Sequence, residues 1–224
     1  MNILAIECTH EALSAAVSRS GVVTEAVCAE WKKAAESLVP LVEQVMIESR
    51  IKRQELERIA ISSGPGSFTA LRIGMSVAKG IAYGLGIPLV PVPTLPTMAA
   101  SLRAADGIVM AVIPARKGEY YYASYRSEDL SSGVWPDEVE RGSTTDVVSA
   151  AAVLARSGEV VVVGRRLIEL TPLLAGSGAV YREAHLFSAR SLFSAAERLF
   201  AGADAVGLNA VTPDYRQAFS PNGG

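Results

Sequence analysis

The sequence predicts an α/β protein in which one order of strands and helices is followed by a second, similar order. Three strand-like runs open the chain, helical and strand-like runs then alternate, and after residue 107 the strand-like runs begin again. Half of the 224 residues are apolar and the mean hydropathy is positive, so the chain can bury a sizeable core. We therefore divide it into an N-terminal lobe, residues 1–105, and a reduced C-terminal lobe, residues 106–224.

One strand, one loop and one helix form the centre of the N-terminal lobe. Residues Ile59–Ile61 are apolar and uncharged, which is typical of a buried parallel strand. Glycine and proline then form a turn, and a serine or a threonine is placed to cap the helix that follows. The residues of this loop motif are Gly64, Pro65, Gly66, Ser67 and Thr69.

A glycine loop that opens a helix is also an arrangement that binds phosphate, because free N–H groups and the helix dipole favour anions. The loop motif nevertheless lacks the Lys-Ser/Thr pair of a Walker A loop and the third glycine of the dinucleotide fingerprint. We therefore favour a structural turn. The helix contains Gly74, Gly80 and Gly84, which each cost about 0.5–1 kcal/mol relative to alanine, and this indicates a neighbour packed close to its backbone.

The other elements follow from the spacing of apolar residues and from turn residues. In the N-terminal lobe we predict strands at Asn2–Glu7, Leu13–Ser18, Val22–Ala29 and Ile87–Val92, and helices at Ala34–Ser49, Thr69–Gly84 and Thr94–Ala105. Pro40 is best tolerated if the first helix begins near Ser37. In the C-terminal lobe we predict strands at Ile108–Ile113, Tyr120–Tyr125, Val134–Val139 and Val160–Val163, helices from Thr144 or Thr145 to Arg156 and at Ser188–Ala201, and a disordered tail at Ser220–Gly224.

The first two helices carry more apolar surface than one sheet can cover. A single layer of helices on a sheet buries one stripe per helix, whereas each of these helices has two. On the second helix we assign to the core the stripe Ala70, Ile73, Val77 and Ile81. We predict that the surplus stripes pack against a partner subunit in a four-helix interface. The predicted interface residues are Leu38, Leu41, Val42, Val45, Leu71, Met75, Ala78 and Ala82.

Charge and cysteine content restrict the class of protein. The net charge is −2, whereas a protein that holds nucleic acid by itself usually carries a basic field. Cys8 and Cys28 form no CxxC pair, and we predict buried thiols. Glu7 interrupts the first apolar run, which excludes a signal peptide pattern, and no apolar run approaches membrane length. We expect a soluble cytoplasmic protein.

The sequence offers no recognised constellation for catalysis, for a cofactor or for a metal. His10 and His185 stand far apart, whereas a zinc or iron site needs three or four ligands. The serines of the loop motif have no evident histidine base. Glu7 could hold Mg²⁺ through water, but we favour a strand-end carboxylate bound by loop N–H groups. The run Ala115–Tyr122 combines a cation with three tyrosines, and we favour a strand over a base-stacking surface.

The loop motif and its surroundings resemble one family. Ser63–Gly74, Ala78–Gly80 and the opening run Ile3–Glu7 closely resemble the bacterial TsaB (YeaZ) proteins, non-catalytic partners in the machinery that makes threonylcarbamoyladenosine (t6A) in tRNA. The resemblance recurs at Ala115–Tyr120 and Pro213–Arg216. It implies an actin-like (ASKHA) fold of two ribonuclease-H-like lobes, the second reduced, and the predicted order of elements agrees with that fold.

The same resemblance implies a function and a set of partners. The protein would be a non-catalytic, activating subunit that binds a TsaD-type catalytic paralogue and a TsaE-type small ATPase, forms a homodimer when alone, contacts tRNA only indirectly and needs no cofactor. The four-helix interface is part of this implication. Where the catalytic paralogue carries a metal-binding histidine pair, this chain has Thr94 and Met98.

Two other functions remain open, a stand-alone ATP-dependent kinase or hydrolase of the actin-like superfamily and a metallopeptidase. The loop Glu7–Ala12, which has no glycine, argues against the first, and a metal analysis would test the second. The chain also departs from the family at two places. It has Trp31–Ala35 where the family often has a histidine, and Pro114 where an aspartate is common, so a partner contact made there would differ.

Overall fold

The computed structural model describes residues 1–9, 13–28, 33–102, 107–132, 135–184, 187–201 and 208–216. Several residues named in the sequence analysis lie outside these ranges. They are His10, His185, Trp31, the end of the loop after Thr9 and the predicted tail. Within the described ranges the chain forms two five-stranded sheets of mixed direction with helices packed on them. The α/β fold class is therefore confirmed.

The first sheet begins with an antiparallel meander and is extended by two parallel strands. Its strands are β1 (Asn2–Glu7), β2 (Leu13–Arg19), β3 (Val22–Cys28), β4 (Arg58–Gly64) and β5 (Leu89–Pro93), in the spatial order β3-β2-β1-β4-β5. The helices of this part of the chain are α1 (Ala34–Glu48), α2 (Phe68–Leu85) and α3 (Thr94–Ala100).

The second sheet repeats the topology of the first. Its strands are β6 (Ile108–Arg116), β7 (Glu119–Arg126), β8 (Glu140–Ser143), β9 (Val160–Gly164) and β10 (Val180–Glu183), in the order β10-β9-β6-β7-β8. The helices are α4 (Ser127–Ser132), α5 (Thr144–Ala155), α6 (Thr171–Leu174) and α7 (Leu192–Ala201). In both sheets the first strand lies at the centre, with the second and third strands on one side and the fourth and fifth on the other.

The reduction of the second lobe lies in its helices rather than in its strand number. Helix α2 connects β4 to β5 with 18 residues, whereas the corresponding helix α6 between β9 and β10 has 4. The edge strands β8 and β10 also have only 4 residues each. Helices α4 and α6 and strand β10 were not predicted from the sequence.

The last helix does not stay with the lobe that precedes it. Helix α7 packs on β1, β4 and β5 of the first sheet, and its residues Leu192, Ala195 and Ala196 are buried there. Helix α3 packs mainly on β6, β7 and α4. A central core therefore lies between the two sheets and is shared by them. The strands before and after residue 105 form two separate sheets, whereas α3 and α7 each pack on the sheet of the other lobe.

One predicted strand is wrong, whereas the helix predicted at Ala34–Ser49 is present as α1. Residues 135–139 form no strand, and β8 begins only at Glu140. Trp135 and Val139 instead pack against the central core, and Pro136 has no N–H to give to a sheet. Helix α1 begins at Ala34, so Pro40 lies inside it. The proline and Glu36, whose carbonyl loses its helical partner, are both exposed to water, which lowers the cost of that loss.

Candidate functional site

The two glycines of the loop motif are required by close contacts with distant backbone. The loop lies at the carboxyl end of β4, where Gly64 has a φ of +113°. A Cβ on Gly64 would lie 2.5 Å from the carbonyl oxygen of Asp214, and one on Gly66 would lie 2.6 Å from the carbonyl oxygen of Thr9. Neither position has room for a side chain, so the motif is built to receive two other segments of this chain.

The hydrogen bonds of the loop are made within the protein. The Gly64 N–H donates to Thr94 Oγ1 at 3.2 Å, and the Ser67 N–H donates to the Thr9 carbonyl at 2.9 Å. The Asp214 N–H donates to the Ser63 carbonyl at 2.7 Å. Two of the N–H groups of the loop, those of Gly64 and Ser67, are thus bonded to other parts of this chain, and these bonds favour the structural turn. Ser67 occupies the N-cap position of α2, but its side chain makes no capping bond.

Thr94 and Met98, the positions compared with a metal-binding histidine pair, both lie in the protein interior. The hydroxyl of Thr94 supports the loop motif, and Met98 packs in the central core. In the part of the chain that the structure describes, no three His, Cys, Asp or Glu side chains come together in a way that could hold a metal ion.

Glu7 is a fully buried carboxylate at the end of β1, between the two sheets. Its Oε1 accepts a hydrogen bond from the Thr9 N–H at 2.8 Å and another from the Thr9 hydroxyl. Its Oε2 accepts no hydrogen bond from the described residues and faces Arg165 Nη1 at 3.8 Å. Burial raises the pKa of Glu7, and the Thr9 hydrogen bonds and the Arg165 charge only partly oppose that effect. The carboxylate therefore accepts a hydrogen bond from a loop N–H, that of Thr9, as predicted. It also faces the Arg165 cation, which was not predicted.

Arg165 links the second sheet to the segment that returns to the first. It follows β9, and its guanidinium donates to the carbonyls of Ala184 and Phe187, the former at 3.2 Å. The same group lies 5.6 Å from the centre of the Phe187 ring. Arg165 thus holds the connection between β10 and α7 while it faces Glu7 across the gap between the sheets.

Tyr120, Tyr121 and Tyr122 all lie in β7 and are buried, so the strand interpretation of this run is confirmed. The Tyr122 hydroxyl donates to Glu140 Oε2 at 3.1 Å. Burial, together with this carboxylate, raises the pKa of Tyr122 to about 12. These rings are not available for stacking with a ligand. Cys8 is buried as predicted, whereas Cys28 is half-buried.

The eight residues predicted to face a partner are instead buried within this chain, so that assignment is corrected. They are Leu38, Leu41, Val42, Val45, Leu71, Met75, Ala78 and Ala82. On α2 the stripe assigned to a partner is the more deeply buried one, because Gly74 brings the helix so close to the end of β1 that a Cβ there would overlap Cys8 Sγ. Of the stripe assigned to the core, Ala70 is buried as predicted, whereas Ile73, Val77 and Ile81 are half-buried.

An apolar groove of about 370 Å³ runs between α1 and α2 on the outer side of the first lobe. Its floor and walls are formed by Val39, Val42, Glu43, Met46, Arg53, Leu56, Gly80, Ile81, Gly84 and Leu85. Val39 is 55% exposed and Tyr83, beside the groove, is 82% exposed. A Cβ added to Gly80 or Gly84 would meet no atom within 4 Å. The close neighbour predicted for these glycines is therefore present at Gly74 and absent at the two glycines of the groove.

Comparison with known proteins identifies the family. The chain is 31% identical to the tRNA threonylcarbamoyladenosine biosynthesis protein TsaB of Escherichia coli over 219 residues, which are 96% of this chain and 94% of that protein. The chain belongs to the TsaB family. It is also 34% identical to TsaB of Bacillus subtilis over 140 residues, 62% of this chain and 61% of that one. Residues 10–154 match the family model described as TsaD, tRNA N6-adenosine threonylcarbamoyltransferase.

Solved structures agree with this membership of the TsaB family. YeaZ from Pseudomonas aeruginosa superposes with a TM-score of 0.76 at 22% identity, covering 96% of this chain and 99% of that one. A second crystal structure, of an uncharacterised protein similar to peptidase YeaZ from the same organism, gives a TM-score of 0.79 at 23% identity with the same coverage. The actin-like fold of two ribonuclease-H-like lobes is confirmed. No described helix has the length and apolar character needed to cross a membrane.

Proposed function

We propose that this protein is a non-catalytic, activating subunit of the machinery that makes threonylcarbamoyladenosine in tRNA. Membership of the TsaB family is the observation that carries the proposal, since the E. coli and B. subtilis relatives are both named as biosynthesis proteins for this nucleoside. The subunit binds a TsaD-type catalytic paralogue and, through that pair, a TsaE-type small ATPase. It forms a homodimer when no paralogue is present.

The groove between α1 and α2 is the proposed docking face. Gly80 and Gly84 each cost about 0.5–1 kcal/mol in a helix, and no contact with the described residues of other elements offsets that cost. Small residues beside exposed apolar ones allow a partner helix to approach closely, and Val39, Ile81 and Tyr83 provide the apolar surface. A helix pair from the paralogue, or from a second copy, fits this combination. The predicted four-helix interface is thereby moved to the opposite stripe of α2.

The surroundings of the loop motif support a non-catalytic role. Thr94 and Met98 are buried structural residues, and the Glu7 carboxylate is enclosed between Thr9 and Arg165. The net charge of −2 gives no overall excess of basic residues, which independent tRNA binding usually needs, so we propose that tRNA is held mainly by the paralogue.

A reconstituted transfer assay tests the function. Purified protein alone should form no threonylcarbamoyladenosine on unmodified tRNA, and addition of the cognate TsaD-type and TsaE-type proteins should give product that depends on this subunit. Product formed by the isolated chain, or equal product with and without it, would overturn the proposal. A titration of the isolated chain with ATP distinguishes the kinase alternative, for which saturable binding is required.

A pair of glycine substitutions tests the docking face. Gly80→Arg adds a long cation to the groove without a clash in the monomer, and Gly176→Arg makes the same change in open space on the second lobe. We expect light scattering and paralogue binding to show loss of both associations for Gly80→Arg and wild-type behaviour for Gly176→Arg. Equal association by both variants would show that the groove is not the interface.

A further inference from the structure

One short segment near the end of the described chain contacts both lobes. Residues Val211–Arg216 have no regular secondary structure. Val211 is 2% exposed and packs in the core of the first lobe. The Asp214 N–H then donates to the Ser63 carbonyl at 2.7 Å, and the Asp214 carbonyl lies directly against Gly64. The segment is therefore attached to the loop motif through backbone contacts that leave no room for a side chain at Gly64.

The next residue of the segment reaches the beginning of α2. The rings of Tyr215 and Phe68 lie 4.8 Å apart between centres, and Phe68 is the first residue of α2. The Arg72 guanidinium lies 5.3 Å from the centre of the Phe68 ring, on its own helix. Aromatic pairs at this separation attract one another beyond the area that they bury. Tyr215 is therefore in direct contact with the first turn of α2.

The same segment is bonded to the second lobe. The Tyr121 hydroxyl in β7 donates to the Tyr215 carbonyl at 3.3 Å. The Arg216 guanidinium donates to Asp214 at 2.7 Å and to Asp137, which lies just before β8. The Asp137 side chain is 81% exposed, and exposed ion pairs contribute little to stability. The attachment to the second lobe is thus much weaker than the attachment to the loop motif.

We propose that Val211–Arg216 is an interlobe clasp that couples the position of the second lobe to the N-terminal end of α2. When the lobes rotate apart, the Tyr121 and Asp137 contacts break first, because the Tyr121 hydrogen bond is long and the Asp137 ion pair is exposed. The segment then stays on the loop motif with Tyr215 free to move, and the first turn of α2 loses the ring that stacks on Phe68. This device goes beyond the proposed docking function and does not depend on it.

Amide hydrogen exchange of the isolated full chain tests the clasp. The double variant Tyr121→Phe/Asp137→Asn removes the Tyr121 hydroxyl and the negative charge of Asp137, which weakens the attachment of the clasp to the second lobe with little change in shape. Glu128→Gln is the matched control, because it breaks another exposed ion pair of that lobe, with Arg126 at 3.6 Å, which does not touch the segment. The readout is the exchange rate of amides 71–75 in α2, compared with core amides of β2, which report global unfolding.

We expect the double variant to accelerate exchange of amides 71–75 by about threefold to tenfold, as for loss of a modest contact, with β2 amides and the control variant unchanged. Unchanged α2 exchange in the double variant would overturn the clasp. Equal acceleration of α2 and β2 would also overturn it, because the contacts would then serve only global stability. Neither result bears on partner docking, which is measured separately through Gly80.

Discussion

Glu7 and Arg165 face each other between the two lobes, with Oε2 and Nη1 3.8 Å apart. Glu7 is fully buried and Arg165 is largely so, and in the part of the chain that the structure describes no group donates a hydrogen bond to the Glu7 Oε2. A carboxylate in this setting depends on one cation. The pair also joins the second lobe to the first at the carboxyl ends of two strands, since Arg165 follows β9 and Glu7 ends β1.

Removal of the cation should therefore be costly. We expect Arg165→Met to lower the free energy of unfolding by about 3–5 kcal/mol, because it leaves a buried charge unpaired. The double variant Glu7→Gln/Arg165→Met should recover most of this loss. Urea unfolding provides the measurement, and Arg156→Met, on an exposed arginine, is the control. A loss equal to that of the control would mean that the pair contributes nothing.

The raised pKa of Glu7 predicts a dependence of stability on pH. The folded state binds the Glu7 proton more tightly than the unfolded chain does, for which the ordinary value is 4.5. This contribution to stability is fully present below pH 4.5 and is lost as the pH rises through the raised value. We expect the stability of wild type relative to Glu7→Gln to fall as the pH is increased over that range. A difference that stays constant or rises with pH would contradict the burial effect.

The inward position of Ala78 predicts opposite outcomes for two arginine substitutions on α2. Ala78 is fully buried against the first sheet, so Ala78→Arg should cost more than about 3 kcal/mol or prevent folding. Gly80→Arg enters open space and removes a helix glycine, which should stabilise the monomer by about 0.5–1 kcal/mol. Circular dichroism during urea unfolding compares them. A folded Ala78→Arg variant of normal stability would restore the original assignment of the stripes.

Two alanine substitutions on the same helix test the contact of Gly74 with Cys8. Gly84→Ala should stabilise the protein by about 0.5–1 kcal/mol through helix propensity alone. Gly74→Ala gains the same propensity but forces its methyl group into Cys8 Sγ, and overpacking of this kind costs about 1–3 kcal/mol. The difference between the two melting temperatures is the measurement. Stabilisation by both substitutions would show that α2 can move away from β1 at little cost.

The two threonines at the loop motif should differ in importance. Thr94 is buried and its hydroxyl accepts the Gly64 N–H, whereas Thr69 is exposed. Thr94→Val leaves a buried N–H without an acceptor and should cost about 1–3 kcal/mol. Thr69→Val should change the free energy of unfolding by less than about 0.5 kcal/mol. Both are measured by urea unfolding, and equal effects would show that the Thr94 bond does not support the loop.

Local patterns were sufficient for the order of elements in the N-terminal lobe and for the position of the loop motif. The hairpin between β2 and β3, the glycine turn after β4 and the run of tyrosines in β7 each depend on a few adjacent residues. The segments that complete the loop were not predictable in the same way. Thr9, Thr94 and Asp214 reach it from three distant parts of the chain, and no local pattern in the sequence links them to Gly64.

The sequence by itself determined the succession of strands and helices along the N-terminal lobe, the loop and the presence of two apolar stripes on α2. Only the tertiary structure decided which stripe is buried. Both stripes have helical spacing and apolar side chains, so periodicity allows two solutions that differ by a rotation of the helix. The contact of Gly74 with Cys8 selects one of them, because the face without a side chain lets the helix backbone come closest to the sheet and bury the most surface. Such a choice depends on the shapes of both the helix surface and the sheet surface. The spacing of residues along the helix carries no information about the shape of the sheet.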